Sequence, residues 1–229
     1  MSWLARFDID VETARLQGIA DSYAWHKRLW ECYPDDPDAQ RDFLTRVDPL
    51  EGAFRVWMLA KKKPVRPEWC RPDGFAFNEI APAFLTYKRY VFDLRANPVR
   101  TLVQRGPNGE TLVQSNGKRK HGKRVPLVKP GDLRAWLIRK GAVRCRDKNT
   151  GIDVPGGFRI IEEQRPLEIT PVTESHFRKN EQTGYHGGVQ FRGMLEVTDR
   201  EYFVETYHSG IGSAKAFGFG LFLLAPLRT

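Results

Sequence analysis

The sequence contains few cysteines, no long hydrophobic run and no signal-like N-terminus. Its three cysteines, Cys32, Cys70 and Cys145, are odd in number and widely spaced, so they indicate neither a disulfide framework nor a zinc pattern. The longest apolar stretch, residues 216–227, contains glycines and is shorter than the roughly 20 residues of a membrane-spanning helix. No basic segment followed by an apolar one opens the chain. We therefore expect a protein of the reducing cytoplasm without a membrane partner.

Acidic residues are scarce in the middle of the chain, and this scarcity concentrates the positive charge. The 229 residues carry 37 Lys and Arg against 28 Asp and Glu, a net charge of +9, in a globular composition with 41% apolar residues. Residues 88–146 hold 16 basic and 3 acidic residues, or +13, which leaves 21 basic and 25 acidic residues, or −4, elsewhere. Such a segment indicates a polyanionic partner; the alternative is a solvated basic face without one.

The densest basic cluster covers residues 118–124 and lies between turn-forming residues, Pro107-Asn108-Gly109 before it and Pro126 after it. Its bases are Lys118, Arg119, Lys120, Lys123 and Arg124. The pattern predicts a basic hairpin or loop that could enter a nucleic-acid groove, and the alternative is a flexible, solvated loop.

Hydrophobic periodicity predicts an alternation of strands and helices. The predicted strands are 3–9, 43–47, 53–60, 89–94, 158–169, 189–197 and 221–224. The predicted helices run from Asp21 or Ser22 to about Tyr33, from Asp132 to Lys140 and from Asp199 to His208. Segment 75–85 fits a short helix with a strand, and the polar segment 173–188 fits a mobile loop.

This element order contains the split β-α-β pattern of ferredoxin-like domains twice. We therefore predict an α+β fold of two tandem ferredoxin-like (RRM-like) domains, residues 1–88 and residues 89–229. The halves show no sequence repeat, so the predicted duplication depends on element order alone.

The first predicted helix carries two residues suited to proton transfer. Tyr23 and His26 are three positions apart, so their side chains are neighbours on one helix face. A His with a pKa of about 6.5 exchanges a proton at neutral pH, and the N-terminus of a helix favours an anion. The alternative is that both residues lie at the margin of the core. The other histidines lack metal-ligand spacing, so we expect no metal and no cofactor.

A glycine-rich run, residues 210–220, lies between the last predicted helix and strand, with Lys215 at its centre. Glycines let a backbone approach a phosphate closely, although a tight helix-to-strand crossover would need the same residues. The run is not a P-loop, because Gly-Lys-Ser/Thr is absent.

Several segments occur in the same order in one known family. They are Tyr23 to Trp30, Tyr33-Pro34, Pro37 to Leu44, Phe92 to Pro98 with its Leu-Arg-Ala-Asn-Pro box, Lys123 to Leu127, Ala135 to Leu137, Phe191 to Leu195, and the glycine-rich run through Pro226. From about residue 23 to its end, the chain resembles the CRISPR type I-E precursor-RNA endoribonuclease, the CasE family. It departs from the family at Phe219, where members often have a small residue or Cys.

The resemblance implies a metal-independent endoribonuclease that recognises the hairpin of the CRISPR repeat RNA and cuts at its 3′ base. It implies that the protein keeps its product and joins other Cascade subunits, the backbone and 5′-handle proteins. The family's catalytic residues fall on Tyr23 and His26. The expected RNA-binding residues are Lys27, Arg28, Lys118, Arg119, Lys120, Lys123, Arg124, Gly210, Gly212, Lys215, Gly218 and Gly220.

RNA carries its own nucleophile, the 2′-OH beside the scissile phosphate, which the enzyme must align and deprotonate. We expect His26 to act as general base or acid, Tyr23 to orient it or contact the phosphate, and the products to carry 2′,3′-cyclic phosphate and 5′-OH ends. The alternatives are a catalytically silent subunit that binds the RNA hairpin and a purely structural subunit of a CRISPR ribonucleoprotein. The pair Tyr23 and His26 favours the enzyme, and the basic segment disfavours the purely structural role.

Overall fold

The computed structural model describes residues 1–34, 41–115, 120–147, 150–172, 175–179 and 182–227. Its two main sheets are antiparallel. All strands of the first sheet precede residue 80, and those of the second lie between residues 89 and 226. This is consistent with a domain boundary at residue 88, which stays a prediction.

The first half is a four-stranded sheet with one principal helix. Its elements are β1 (Trp3–Asp10), α1 (Val11–Leu16), α2 (Ser22–Leu29), β2 (Phe43–Leu50), β3 (Ala53–Ala60) and β4 (Phe75–Glu79). Helix α2 begins after Asp21, whose carboxylate accepts a hydrogen bond from the Ala24 N–H at 2.8 Å. The strand order is β2-β3-β1-β4, so the strands on either side of the helix are separated by β3. That separation defines a split β-α-β unit.

The second half repeats this topology with insertions. Its elements are β5 (Arg89–Ala96), β6 (Val99–Val103), β7 (His121–Pro126), α3 (Pro130–Ala142), β8 (Cys145–Arg146), β9 (Asp153–Val154), β10 (Phe158–Ile161), β11 (Glu168–Pro171), β12 (Ser175–Lys179), β13 (Gln182–His186), β14 (Val189–Val197), α4 (Arg200–Ser209) and β15 (Phe222–Pro226). The sheet order is β10-β14-β5-β15, and β11 also pairs with β14. The prediction of two tandem ferredoxin-like domains in an α+β fold is therefore confirmed.

Two segments differ from the sequence predictions. The predicted strand 158–169 is two strands, β10 and β11, which pair with successive parts of β14. Segment 173–188, which we predicted as a mobile loop, contains the hairpin β12–β13. That loop prediction was wrong because two strands that pair mainly with each other need not show the apolar alternation by which strands are recognised.

Apolar and charged contacts both join the two halves. The larger core belongs mainly to the second half but includes Leu44 and Leu59 from the first sheet. Arg46 on β2 is 3% exposed and donates to Asp48 at 2.8 Å and to Asp93 on β5 at 2.7 Å. Strand β2 is therefore held against the central strand β5. Strand β5 also supports the glycine-rich run.

Candidate functional site

A cavity of about 480 Å³ lies where helix α2 faces the glycine-rich run. Its lining comes from helix α2 and the segment before that helix, from strands β2, β3 and β5, from the end of β11 and from the glycine-rich run. The lining residues are Ile19, Ala20, Asp21, Ser22, Trp25, His26, Thr45, Val47, Pro49, Phe54, Arg95, Pro171, Val172, Ala216, Phe217, Gly218 and Phe219. The fold thus brings His26 together with Gly218, although 191 residues of sequence lie between them.

The imidazole of His26 is half-buried in the wall of this cavity. Its ring packs edge-on against Trp30 at a centroid distance of 6.3 Å. Burial lowers the pKa of His26 below its ordinary value of 6.5, and the positive charge of Arg41 lowers this pKa further. Within the described residues neither ring nitrogen has a hydrogen-bond partner, so a largely neutral imidazole is available to accept a proton from a ligand.

Tyr23 lies one helical turn before His26 and is partly buried. The Nζ atom of Lys27 lies 4.8 Å from the centroid of the Tyr23 ring, a cation–π contact. Tyr23 is not among the residues that line the cavity. Tyr23 therefore lies on the same helix face as His26 but outside the lining of the cavity.

The glycine-rich run begins where α4 ends. Gly210 follows the last residue of α4, and a 3-10 helix covers Lys215–Phe217. Gly218 has a φ of +87° and lines the cavity, with no atom closer than 3.9 Å to the position of an added Cβ. Gly220 serves the fold instead: its N–H donates to the Arg95 carbonyl at 2.7 Å, and an added Cβ would lie 2.5 Å from the Ile211 carbonyl oxygen.

Two charged residues of the cavity, Asp21 and Arg95, were not among the predicted site residues. Arg95 on β5 lines it and donates to the Val47 carbonyl at 2.5 Å and to Asp48 at 2.8 Å. Its Nε atom is buried and has no hydrogen-bond partner among the described residues. Arg95 is the arginine of the Leu-Arg-Ala-Asn-Pro box, so its place in that box was a signal that could have identified it.

The other predicted RNA-binding residues fall into separate groups. Lys120 precedes β7, and Lys123 and Arg124 lie on it; all three are exposed on the β6–β7 hairpin. Gly210, Gly212 and Lys215 line a second, smaller cavity next to that of His26. Lys118 and Arg119 lie outside the described residues.

The remaining predicted residue, Arg28, is engaged within the protein. Its guanidinium donates to the Gln17 carbonyl at 2.8 Å and to Glu31 at 2.7 Å. Its assignment to RNA stays a prediction, as do those of the other site residues.

The described part of the chain contains neither a group of metal ligands nor a membrane-spanning helix. No three His, Cys, Asp or Glu side chains within it are grouped as metal ligands would be. Nor does any helix there combine the length and the apolar character that crossing a membrane requires.

Comparison with known proteins places this site in a family context. The CRISPR system Cascade subunit CasE of Escherichia coli (strain K12) is 28% identical over 207 residues, which cover 90% of this chain and 93% of that protein. The CRISPR-associated endoribonuclease Cse3 of Thermus thermophilus is 28% identical over 239 residues, covering 98% of this chain and 100% of that protein. The structure of Thermus thermophilus Cse3 bound to an RNA representing a pre-cleavage complex superposes with a TM-score of 0.70 at 25% identity, covering 98% of this chain and 99% of that one. A family model described as CRISPR associated protein matches residues 2–226, and the chain therefore belongs to this family of CRISPR associated proteins.

Proposed function

We propose that the protein is a metal-independent endoribonuclease that recognises the hairpin of a CRISPR repeat RNA, cuts the precursor at the 3′ base of that hairpin and remains bound to the product as a Cascade subunit. The observation that carries the proposal is the cavity that the half-buried imidazole of His26 lines together with Arg95 and Gly218. The relatives support it, because one is a Cascade subunit and another is an endoribonuclease. The three free cysteines support a reducing, cytoplasmic location.

The proposed reaction needs only groups that the RNA and this chain supply. The 2′-oxygen attacks the adjacent phosphorus, the bond between phosphorus and the 5′-oxygen breaks, and a 2′,3′-cyclic phosphate and a 5′-OH result. His26 takes the proton of the 2′-OH, since its lowered pKa keeps the imidazole neutral at pH 7. The guanidinium of Arg95 stabilises the charge that develops on the phosphorane. The leaving 5′-oxygen takes its proton from the phenol of Tyr23 or from a water molecule, and Tyr23 also orients His26 or donates a hydrogen bond to the phosphate.

The test is to incubate the protein with repeat RNA in excess EDTA and to map the ends of each fragment. We expect one cut at the 3′ base of the hairpin, a cyclic phosphate on the upstream fragment and a 5′-OH on the downstream fragment. Tight binding without cleavage would support the catalytically silent subunit instead. Cleavage that stops in EDTA and returns with Mg²⁺ would contradict the metal-independent mechanism.

We expect the β6–β7 hairpin to bind the phosphate backbone of the RNA stem. Because double-stranded RNA is bound mainly through its shape and backbone, the exposed bases Lys123 and Arg124 should contribute electrostatically. The double variant Lys123→Gln/Arg124→Gln should therefore bind the RNA more weakly than the wild type does. Its slope of log Kd against log salt concentration should be smaller than the wild-type slope by roughly 1 to 2.

Arg71→Gln is the matched control for this measurement. The Arg71 side chain is 77% exposed and lies in the first half, outside the basic segment. An equal loss of slope in both variants would mean that the hairpin makes no specific contact with the backbone.

A further inference from the structure

The guanidinium of Arg95, on β5 in the second half, is held by two groups of the first half. Its Nη1 atom donates to the Val47 carbonyl at 2.5 Å, and its Nη2 atom lies 2.8 Å from the Oδ1 atom of Asp48. Both partners belong to strand β2. Because a guanidinium has five N–H donors, these two contacts leave donors for a ligand in the cavity that Arg95 lines.

The carboxylate of Asp48 is itself fixed by a second arginine. Its Oδ1 atom also accepts a hydrogen bond from the Nε atom of Arg46 at 2.8 Å. The side chain of Asp48 is 18% exposed and that of Arg46 is 4% exposed. A carboxylate with two cationic partners in such a place has little freedom to move, because a displacement breaks a charge-assisted contact. Asp48 is therefore a fixed partner for the guanidinium of Arg95.

The contact between Asp48 and Arg95 joins two parts of the site that come from different halves. Helix α2, which carries His26, packs on the first sheet through Trp25 and Leu29. Strand β2, which carries Asp48, belongs to that same sheet, whereas β5 is in the second sheet. The contact therefore sets the position of the Arg95 guanidinium relative to the sheet on which His26 is mounted.

A second aspartate, Asp93, resembles Asp48 but does not hold Arg95. Asp93 accepts from Arg46 at 2.7 Å and from Arg192 at 3.0 Å, and its side chain is 26% exposed. Neither aspartate lines the cavity of His26. The two carboxylates thus share Arg46 and are similarly buried, but only Asp48 forms an ion pair with Arg95.

We propose that Asp48 is a positioning residue for RNA cleavage, which holds the guanidinium of Arg95 where it meets the scissile phosphate beside His26. The inference rests on the proposed function, in which Arg95 stabilises the charge that develops on the phosphorane. Such stabilisation requires donors that are already in place when the charge develops, so a guanidinium that can turn away from the phosphate stabilises it less. Asp48 acts through Arg95, since its own side chain is outside the cavity lining.

The test is a double-mutant cycle on the single-turnover rate of repeat cleavage, measured in EDTA with saturating enzyme. The proteins are the wild type, Asp48→Asn, Arg95→Gln and the double variant. We expect Arg95→Gln to lower the rate about 10²- to 10³-fold, and Asp48→Asn to lower it roughly 10- to 100-fold by misplacing the guanidinium. The double variant should cut as slowly as Arg95→Gln alone, within about twofold, because Asp48 then has no guanidinium to hold.

Binding and a matched variant distinguish positioning from a merely structural role. Asp48→Asn should bind the 2′-deoxy repeat RNA as the wild type does, so that the rate at saturation falls while the half-saturating enzyme concentration stays the same. Asp93→Asn removes a partner of Arg46 but leaves the contacts of Arg95 in place. It should cut at the wild-type rate even if it lowers the free energy of unfolding as much as Asp48→Asn does.

Urea unfolding shows whether Asp48→Asn is folded. If it is not, Asp48→Glu, which keeps the charge but displaces the carboxylate by one methylene, should slow the same step. Equal slowing by Asp48→Asn and Asp93→Asn, or independent effects of the two substitutions in the double variant, would overturn the positioning role. Wild-type protein that cuts the repeat while the cycle shows independent effects retains the proposed function, whereas wild-type protein that does not cut overturns that function as well.

Discussion

Replacing His26 by Ala should lower the single-turnover rate of repeat cleavage about 10²- to 10⁴-fold, the range that general acid–base catalysis typically supplies. The imidazole lines the cavity, has a lowered pKa and has no partner within the described residues, so its loss removes the group that accepts the proton. The side chain packs against Trp30 but is only half-buried, so the variant should fold. The rate is measured with enzyme in excess over RNA, so that product release does not enter.

Two readouts separate loss of chemistry from loss of binding. The variant should bind the 2′-deoxy repeat RNA as tightly as the wild type does, because the basic segment is unchanged; neither protein should cut that RNA. In the wild type, kcat/KM should rise with pH through a midpoint below 6.5 and then level off, since the neutral imidazole is the active form and its pKa in the free protein is lowered. An unchanged rate in His26→Ala would exclude His26 from the mechanism.

Replacing Arg46 by Ala should lower the free energy of unfolding by about 3 kcal/mol, near the lower end of the range for breaking a buried ion pair. Arg46 is 3% exposed and is paired with both Asp48 and Asp93, so its removal takes one of two arginine partners from each carboxylate, with Arg95 left on Asp48 and Arg192 on Asp93. Both carboxylates retain some contact with solvent, which limits the loss. Urea unfolding of the whole chain measures the difference.

Arg55→Ala is the matched control, since Arg55 lies on the neighbouring strand β3 and pairs with Asp8 at 2.8 Å. The Arg55 side chain is 36% exposed, and exposed pairs typically contribute less than about 1 kcal/mol. Equal effects of the two substitutions would show that the pairs between the halves contribute no more than a surface pair.

Because Thr45 and Val47 flank Arg46 and line the cavity, Arg46→Ala should also slow cleavage beyond what its effect on stability explains.

Local sequence patterns predicted most of the architecture. The period-two alternation of β1, the Asp21 cap of α2 and the Asp199 cap of α4 are local features, and these three elements lie where they indicate. They also allowed the split β-α-β order to be recognised twice, because that order depends only on the succession of elements. The hairpin β12–β13 escaped because its strands pair with each other.

The site was only partly predictable, because its charges acquire their roles from distant partners. Arg41, Arg46 and Arg95 are alike in sequence, each within a strand-like or polar segment. In the fold, Arg46 is a buried contact between the halves, Arg95 lines the cavity, and Arg41 is partly buried without a partner among the described residues. Apart from the Leu-Arg-Ala-Asn-Pro box that contains Arg95, no local pattern separates these three roles, since each depends on distant residues.

The walls of the His26 cavity come from opposite ends of the chain, and this affects when activity appears during synthesis. The first sheet and α2 are complete once residue 79 has left the ribosome, but Ala216 is made 137 residues later. Strand β15, which ends at Pro226, must then pair with β5 before the glycine-rich run is held in place. A nascent chain therefore carries His26 long before it can cut. We expect a chain that stops before residue 216 to lack nuclease activity, because the cavity then misses one of its walls.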